Sequence, residues 1–218
     1  MYQESDFYHD ENGNYEFEIT RFQLWLYMVI FGFPKNLNEK TDVYNNLACA
    51  LAVRLYKGFV FDADKMENTI NYLYETNDAL RTIFSLKDNK IIQKVLLKYN
   101  YSIDVRETFG KTVEDRYADA VKQANKEAAL PIVDFEKIQS KFVLFKIDEN
   151  DYLFLTVQNH MISDGYSLII TLKKMLNYYE ENKVFKQGGT NLEFTQSEIR
   201  LLKTDKGQEK IEKLRNLK

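Results

Sequence analysis

The chain has 218 residues, 44% hydrophobic and 14% aromatic, which is enough to build the core of one large domain or two small ones. Its 30 basic residues nearly balance its 33 acidic ones, and this argues against a nucleic-acid binder with a basic face. A single cysteine excludes a disulfide framework, and two histidines far apart in sequence disfavour a zinc site. The chain contains no run of 18 apolar residues, which a membrane-spanning helix would need, so we expect a cytoplasmic protein. From the cysteine and histidine counts we expect it to bind no metal.

The chain opens with a polar segment that precedes the first predicted helix. Residues 1–14 end in the turn sequence Asn12-Gly13-Asn14, so we expect them to form a loose arm. Apolar residues at helical spacing predict a helix within residues 19–33. Thr20 is the expected cap of this helix, and Pro34 is expected to stop it.

The middle of the chain alternates between strand-like and helical patterns. Alternation over residues 43–57 predicts a strand, and Asp62 or Asp64 is expected to cap the helix that follows. Residues 112–127 have the pattern of a polar helix with one apolar face. Between these helices lie three strand-like runs, Leu80–Leu86, Ile91–Lys98 and Tyr101–Arg106.

The last third of the chain predicts a hairpin and then helices. Residues 141–148 and 152–160 are predicted to be two strands joined by a turn at Glu149-Asn150-Asp151. The helices that follow are predicted over 166–182, 193–203 and 207–217. This order of strands and helices predicts a layered α/β or α+β domain, with helices packed on a mixed sheet in a two-layer sandwich.

The segment that best indicates chemistry begins where the second hairpin strand ends. His160 closes this strand, and Asp164 and Gly165 follow before the amphipathic helix. A histidine at a strand end is held rigidly and can face a cleft, where a neutral imidazole accepts a proton. The alternative is a structural role, with His160 packed or solvated and with Asp164 or Ser163 only capping the helix. Gly165 is expected to allow a tight turn where a side chain would clash.

These residues resemble the HHxxxDG motif of condensation domains in nonribosomal peptide synthetases. His160 matches the second histidine of the motif, Asp164 and Gly165 match its Asp-Gly pair, and Asn159 stands where the family has its first histidine. Residues 80–84, with the sequence LRTIF, resemble the LRTxF block of the same family. The family belongs with chloramphenicol acetyltransferase and the dihydrolipoyl acyltransferases.

The resemblance implies a chloramphenicol acetyltransferase-like fold and a truncated domain. Condensation domains have two lobes of similar size, and residues 15–218 account for the amino-terminal lobe alone. The implied reaction joins a donor acyl group to an acceptor amine, each presented as a phosphopantetheine thioester on a carrier protein. The implied partners are therefore the carrier proteins and the absent carboxyl-terminal lobe, and no cofactor is bound directly.

The resemblance also assigns roles to individual residues. His160 would act as a general base or hold the amine in line for attack, and the Gly165 N–H would lie near the developing oxyanion. Asp164 would be structural and pair with an arginine, for which Arg81 is the candidate in this chain and an arginine of the absent lobe is the alternative. Asn159 would support the site, since its amide both donates and accepts hydrogen bonds.

Two other functions remain open at this point. One is a stand-alone trimeric acyltransferase that uses acyl-CoA, because such enzymes have a similar chain length. The other is a non-catalytic condensation-like domain that only docks other proteins, which the change of the first motif histidine to Asn159 would suit.

Overall fold

The computed structural model describes residues 8–32, 46–132, 134–184 and 190–215. The strands are β1 (Tyr8–His9), β2 (Tyr15–Glu18), β3 (Ala48–Leu55), β4 (Thr82–Lys87), β5 (Lys90–Val95), β6 (Val105–Glu107), β7 (Ser140–Asp148) and β8 (Asp151–Asn159). The helices are α1 (Arg21–Ile30), α2 (Ala63–Thr76), α3 (Val113–Ala129), α4 (Gly165–Glu181), α5 (Asn191–Lys203) and α6 (Asp205–Arg215). Within these ranges, every helix is too short or too polar to cross a lipid bilayer.

The strands form two four-stranded sheets. The sheet with the longer strands, called the larger sheet, contains the predicted hairpin. Its order is β3-β8-β7-β6, with β6 parallel to β7 and the other pairs antiparallel. The smaller sheet has the order β1-β2-β5-β4 and is antiparallel throughout. The predicted class, a mixed sheet with helices packed on it, is therefore confirmed, and the second sheet is an addition to it.

Helices cover both faces of the larger sheet, so this part of the fold has three layers where the sequence predicted two. On one face, α3 packs on β7 and β8 through Ala120, Ala124, Phe145 and Leu155. The opposite face packs against α2 and α4 through Met66, Ile70, Leu73, Phe142, Phe154, Met175 and Tyr179. Along β8, every residue from 152 to 159 is buried. A strand buried on both faces must be covered on both faces, and the sequence of the strand alone does not tell which elements cover it.

The smaller sheet packs against α1 and reaches the loop that follows β8. Leu26 and Ile30 of α1 lie against Phe84 and Ile91 of the sheet. Met161, directly after His160, is 4% exposed and belongs to the same apolar cluster. The loop that carries the candidate histidine is thus anchored between the two sheets.

The prediction of a loose arm over residues 1–14 is wrong from residue 8 onward. β1 pairs with β2, and the Asp10 carboxylate accepts hydrogen bonds from the backbone N–H groups of Asn12 and Asn14, each at 2.9 Å. Lys94 of β5 lies 3.0 Å from Asp10 and adds an ion pair. A polar sequence lacks the apolar alternation of a strand, but these bonds hold it at the sheet edge.

Side-chain caps set the beginnings of the helices. Thr20 caps α1, as the sequence predicts, and forms a capping box with Gln23. Of the two predicted caps for α2, Asp62 is the one observed, and Asp64 lies in the first turn of the helix. The first helix ends at Ile30, and Gly32 follows with a φ of +70°. Pro34, the predicted stop, lies outside the described residues.

The core of the larger sheet supplies a direct test of this packing. Phe142 is 1% exposed and stacks on Phe154, so we expect Phe142→Ala to lower the free energy of unfolding by about 3–5 kcal/mol. Phe109 is 75% exposed, and Phe109→Ala is the matched control, with an expected change within about 0.5 kcal/mol. Urea titration followed by circular dichroism measures both. Equal losses in the two variants would contradict the packing.

Candidate functional site

A short connection from β8 to α4 places the candidate histidine. The His160 N–H donates to the Leu47 carbonyl at 2.8 Å, and the Ile162 N–H donates to the Asn159 carbonyl at 3.0 Å. These bonds turn the chain at the end of the strand, while the buried Met161 side chain holds the loop from below. The imidazole therefore leaves a fixed backbone at the edge of the protein interior.

The imidazole has one nitrogen committed to the backbone. Nδ1 of His160 lies 2.8 Å from the Ser163 carbonyl oxygen. A carbonyl only accepts, so Nδ1 carries the hydrogen in this bond, and the neutral ring keeps a lone pair on Nε2. The same carbonyl lies 3.9 Å from the Cys49 thiol, whose pKa is raised by burial. The geometry thus selects the tautomer in which Nε2 can accept a proton.

His160 lines an open cleft of about 370 Å³. Phe22 of α1 presents its ring at 6.4 Å and 86° to the imidazole, and Phe194 of α5 is a further lining residue. Besides His160, the charged or titratable lining residues are the two acids Asp164 and Glu198. The cleft therefore combines aromatic walls with a proton acceptor and, among the residues that the structure describes, has no lysine or arginine in its lining.

Asp164 caps α4. Its carboxylate accepts hydrogen bonds from the backbone N–H and the hydroxyl of Ser167, both at 2.7 Å. These bonds hold the pKa of Asp164 below its usual range. Asp164 therefore has the helix-capping role that was the structural alternative in the sequence.

The predicted pairing of Asp164 with Arg81 is wrong. Arg81 lies in a 3₁₀ turn before β4, and its guanidinium donates to the backbone carbonyls of Tyr74, Glu75 and Leu96, the last at 2.9 Å. Arg81 thus ties the end of α2 to the smaller sheet. The sequence could not show these partners, because a guanidinium donates to backbone carbonyls as readily as to carboxylates.

Asn159 has a structural position behind the loop. Its side chain is buried, and the amide nitrogen donates to Gln139 Oε1 at 3.2 Å and to the Ile132 carbonyl at 3.3 Å. Its side-chain oxygen, Oδ1, accepts a hydrogen bond from the Met161 N–H at 2.9 Å. An amide provides the donor and the acceptor that this place requires, so Asn159 fixes the loop without facing the cleft.

Gly165 is not needed for a tight turn, contrary to the sequence-based expectation. It is the first residue of α4, its φ lies outside the left-handed region, and a Cβ added to it would meet no atom within 4 Å. As the first helical residue, its N–H has no acceptor within the helix. The glycine therefore leaves open space beside an available backbone donor.

Several residues that shape the cleft were not predicted from the sequence. Phe22 and Phe194 are half or more exposed, and Glu198 lies one turn after Phe194 on α5. Gln23 also lines the cleft, and the capping-box spacing from Thr20 is the one signal that could have singled it out.

Comparisons with known proteins match most of the chain to one family. Residues 33–203, more than half of the chain, match the sequence profile of the family described as "Condensation domain". A linear gramicidin synthase protein from Brevibacillus parabrevis is 29% identical over 148 residues, which is 68% of this chain and 3% of that protein.

Two solved structures share the fold at low sequence identity. SgcC5 from Streptomyces globisporus is 16% identical with a TM-score of 0.71, over 86% of this chain and 43% of its own. The EpoB cyclization-docking bidomain of a nonribosomal peptide synthetase from Sorangium cellulosum is 16% identical with a TM-score of 0.72, over 90% of this chain and 37% of its own.

The chain spans a small fraction of the synthetase it matches and less than half of either structural neighbour. These matches favour neither the trimeric acyl-CoA-dependent acyltransferase nor the docking-only domain. The His160 loop, the sequence profile and the shared chloramphenicol acetyltransferase-like fold lead to one assignment: this chain belongs to the condensation-domain family of peptide synthetases.

Proposed function

We propose that this chain is the amino-terminal lobe of a domain that forms an amide bond between two carrier-bound thioesters. The observation that carries the proposal is the hydrogen bond from His160 Nδ1 to the Ser163 carbonyl, because it leaves Nε2 free in an open cleft. The substrates would arrive on the phosphopantetheine arms of carrier proteins, in the cytoplasm. His160 is the proposed catalytic residue.

In the proposed reaction, one proton moves from the acceptor amine to His160 and then to the leaving thiolate. The acceptor amine attacks the donor thioester carbonyl, a C–N bond forms, and His160 Nε2 takes the proton that the nitrogen loses. The C–S bond then breaks, and the imidazolium returns the proton to the leaving thiolate. General-base assistance of this kind contributes roughly 10²- to 10⁴-fold to the rate. Holding the amine in line for attack is the second contribution that we assign to the same nitrogen.

The start of α4 is the proposed site of oxyanion stabilisation. Negative charge develops on the thioester oxygen during attack, and the first-turn N–H groups of a helix are donors without helical acceptors. The Gly165 N–H belongs to this turn, and the open space around its Cα would let the thioester approach. Asp164 supports the site by holding this turn in place.

Exposed apolar side chains around the cleft support a second lobe as partner. Phe22, Trp25, Tyr166 and Phe194 are 57%, 53%, 72% and 65% exposed, and all lie on α1, α4 or α5 beside the His160 loop. Exposed apolar patches of this kind mark surfaces that another body covers. We assign the carboxyl-terminal lobe to this face, because the structural neighbours are more than twice as long as the part matched here.

Replacement of the histidine tests the catalytic assignment. We expect His160→Ala to lower turnover by roughly 10²- to 10⁴-fold, since the proton acceptor is removed. The assay joins this chain to a carboxyl-terminal lobe and measures amide product from loaded carrier proteins by mass spectrometry. His9→Ala is the matched control, because His9 lies on β1 beside Tyr15 and is expected to leave turnover unchanged.

Two outcomes of this assay would count against the proposal. Equal turnover in His160→Ala and the unmodified protein would remove the catalytic assignment. Binding of carrier proteins without any amide product from the unmodified protein would indicate a docking domain.

Asp164 is expected to act on stability. Asp164→Ala should lower the free energy of unfolding by about 0.5–2 kcal/mol, whereas Asp164→Asn retains an N-cap and most of the stability. Because the folded pKa of Asp164 is lowered, its ionised form stabilises the fold above its unfolded pKa of about 3.9, and this contribution is lost as pH falls through the lowered value. Urea titrations at neutral and acidic pH measure the effect, and an Asn variant with the same pH dependence as the unmodified protein would contradict it.

The Gly165→Ala variant tests whether the substrate needs the open space at this position, in a protein whose folding is kept. An added Cβ meets no protein atom, so we expect unfolding to be unchanged. The methyl group would lie where the thioester approaches, so turnover should fall, by up to about 10²-fold for a displacement near 1 Å. Thermal unfolding and the amide assay are read on the same preparation. A variant with full turnover would show that the substrate does not pass this point.

A further inference from the structure

A buried polar cluster lies beneath the cleft and connects the elements that form its walls. We call it the glutamine relay, and it consists of Gln23, Gln93 and Thr195. Gln23 is 5% exposed, and Gln93 and Thr195 are 0% exposed. Gln23 Nε2 lies 3.2 Å from Gln93 Oε1, and Gln93 Nε2 lies 3.4 Å from Thr195 Oγ1.

The relay ends on the backbone of the His160 loop. Gln23 Nε2 donates to the Met161 carbonyl at 3.0 Å, and Gln23 Oε1 accepts from the Thr20 N–H at 2.9 Å. Gln93 Nε2 is in addition 3.2 Å from the Glu18 carbonyl. One side chain, Gln23, therefore joins the start of α1 to the loop after β8 and to the smaller sheet.

Each connection of the relay lies next to a residue that lines the cleft. Gln23 follows Phe22, Met161 follows His160, and Thr195 follows Phe194. The positions of the two aromatic walls and of the imidazole thus depend on the same set of buried hydrogen bonds. A shift of one amide would move a wall relative to the proton acceptor.

Apolar packing alone would hold these elements less specifically. Buried polar groups are costly unless they are bonded, and their bonds have fixed direction and length. Leu26 and Met161 already bury α1 and the loop, so burial does not call for glutamine at position 23. What an amide adds is a donor and an acceptor together, which neither methionine nor glutamate offers.

We propose that Gln23 and Gln93 are positioning residues for amide formation, which set the distance between His160 and the aromatic walls at Phe22 and Phe194. This inference rests on the proposed function of His160. Gln23 acts on the imidazole through the Met161 carbonyl, and Gln93 acts on the α5 wall through Thr195. The relay thereby determines how an acyl or aminoacyl group of given width meets Nε2.

The test compares Gln23→Met with two controls. Gln123→Met makes the same chemical change on α3, where Gln123 bonds Asp119 and the Glu107 carbonyl far from the cleft. Ile70→Ala, in the core of the larger sheet, shows what a loss of stability alone does to the rate. The joined two-lobe protein is assayed for kcat and KM with loaded carrier proteins.

We expect Gln23→Met to lower kcat by about 10²-fold, the effect of a misplacement near 1 Å, and both controls to keep kcat within a few-fold. Thr195→Val, which removes one hydroxyl and leaves the loop bond intact, should give a smaller fall and serves if Gln23→Met does not fold. Unchanged kcat in the relay variants, or an equal fall in Ile70→Ala, would overturn the proposal.

A second measurement is independent of amide formation. In a His9→Gln background, His160 is the one histidine of the chain, and ¹⁵N NMR in alkaline buffer reports the tautomer of its neutral ring. We expect hydrogen on Nδ1 in the parent, and a mixture of tautomers in Gln23→Met, since the loop holding the Ser163 carbonyl is released. An unchanged tautomer in Gln23→Met would overturn the relay. A parent without amide product would instead overturn the function of His160, and the NMR comparison would still decide the relay.

Discussion

Five residues connect the most buried strand of the larger sheet to α4, and the hydrogen bonds of this connection govern the site. The chain must turn, cap a helix and satisfy its polar groups within residues 160–164. The Ser163 carbonyl accepts a hydrogen bond from His160 Nδ1, and the Asp164 carboxylate accepts one from the Ser167 N–H. The orientation of the imidazole is therefore a consequence of completing the backbone hydrogen bonds, since unpaired buried groups cost free energy.

The loop gains its rigidity from the bodies packed around it. Ile162 lies partly in the core of α2 and α4, whereas Met161 belongs to the cluster of α1 and the smaller sheet. Asn159 and the glutamine relay approach the same loop with amide groups from below. Apolar contacts bury the loop, and the directional amide bonds select one placement within that burial.

Much of the local structure could be predicted because its causes lie within a few residues of each other. Thr20 and Asp62 cap α1 and α2 through bonds to residues three positions on, and the apolar spacing of 166–182 nearly reproduces α4. The hairpin of β7 and β8 followed from two strand-like runs on either side of one turn. The resemblance at His160, Asp164 and Gly165 carried the family assignment for the same reason, because it is a pattern of adjacent residues.

The sequence by itself therefore determined the caps, the hairpin, the main helices and the place of His160, all of which depend on neighbours along the chain. Only the tertiary structure decided the partners of Arg81, the helices on both faces of the larger sheet, and the union of Phe22, Phe194 and His160 around one cleft. Contacts of this second kind join separate elements of the fold, and some link residues far apart in the chain, such as Gln23 and Gln93, which are 70 positions apart. Many residues compete equally for such contacts until packing fixes the distances, and no local pattern records the outcome.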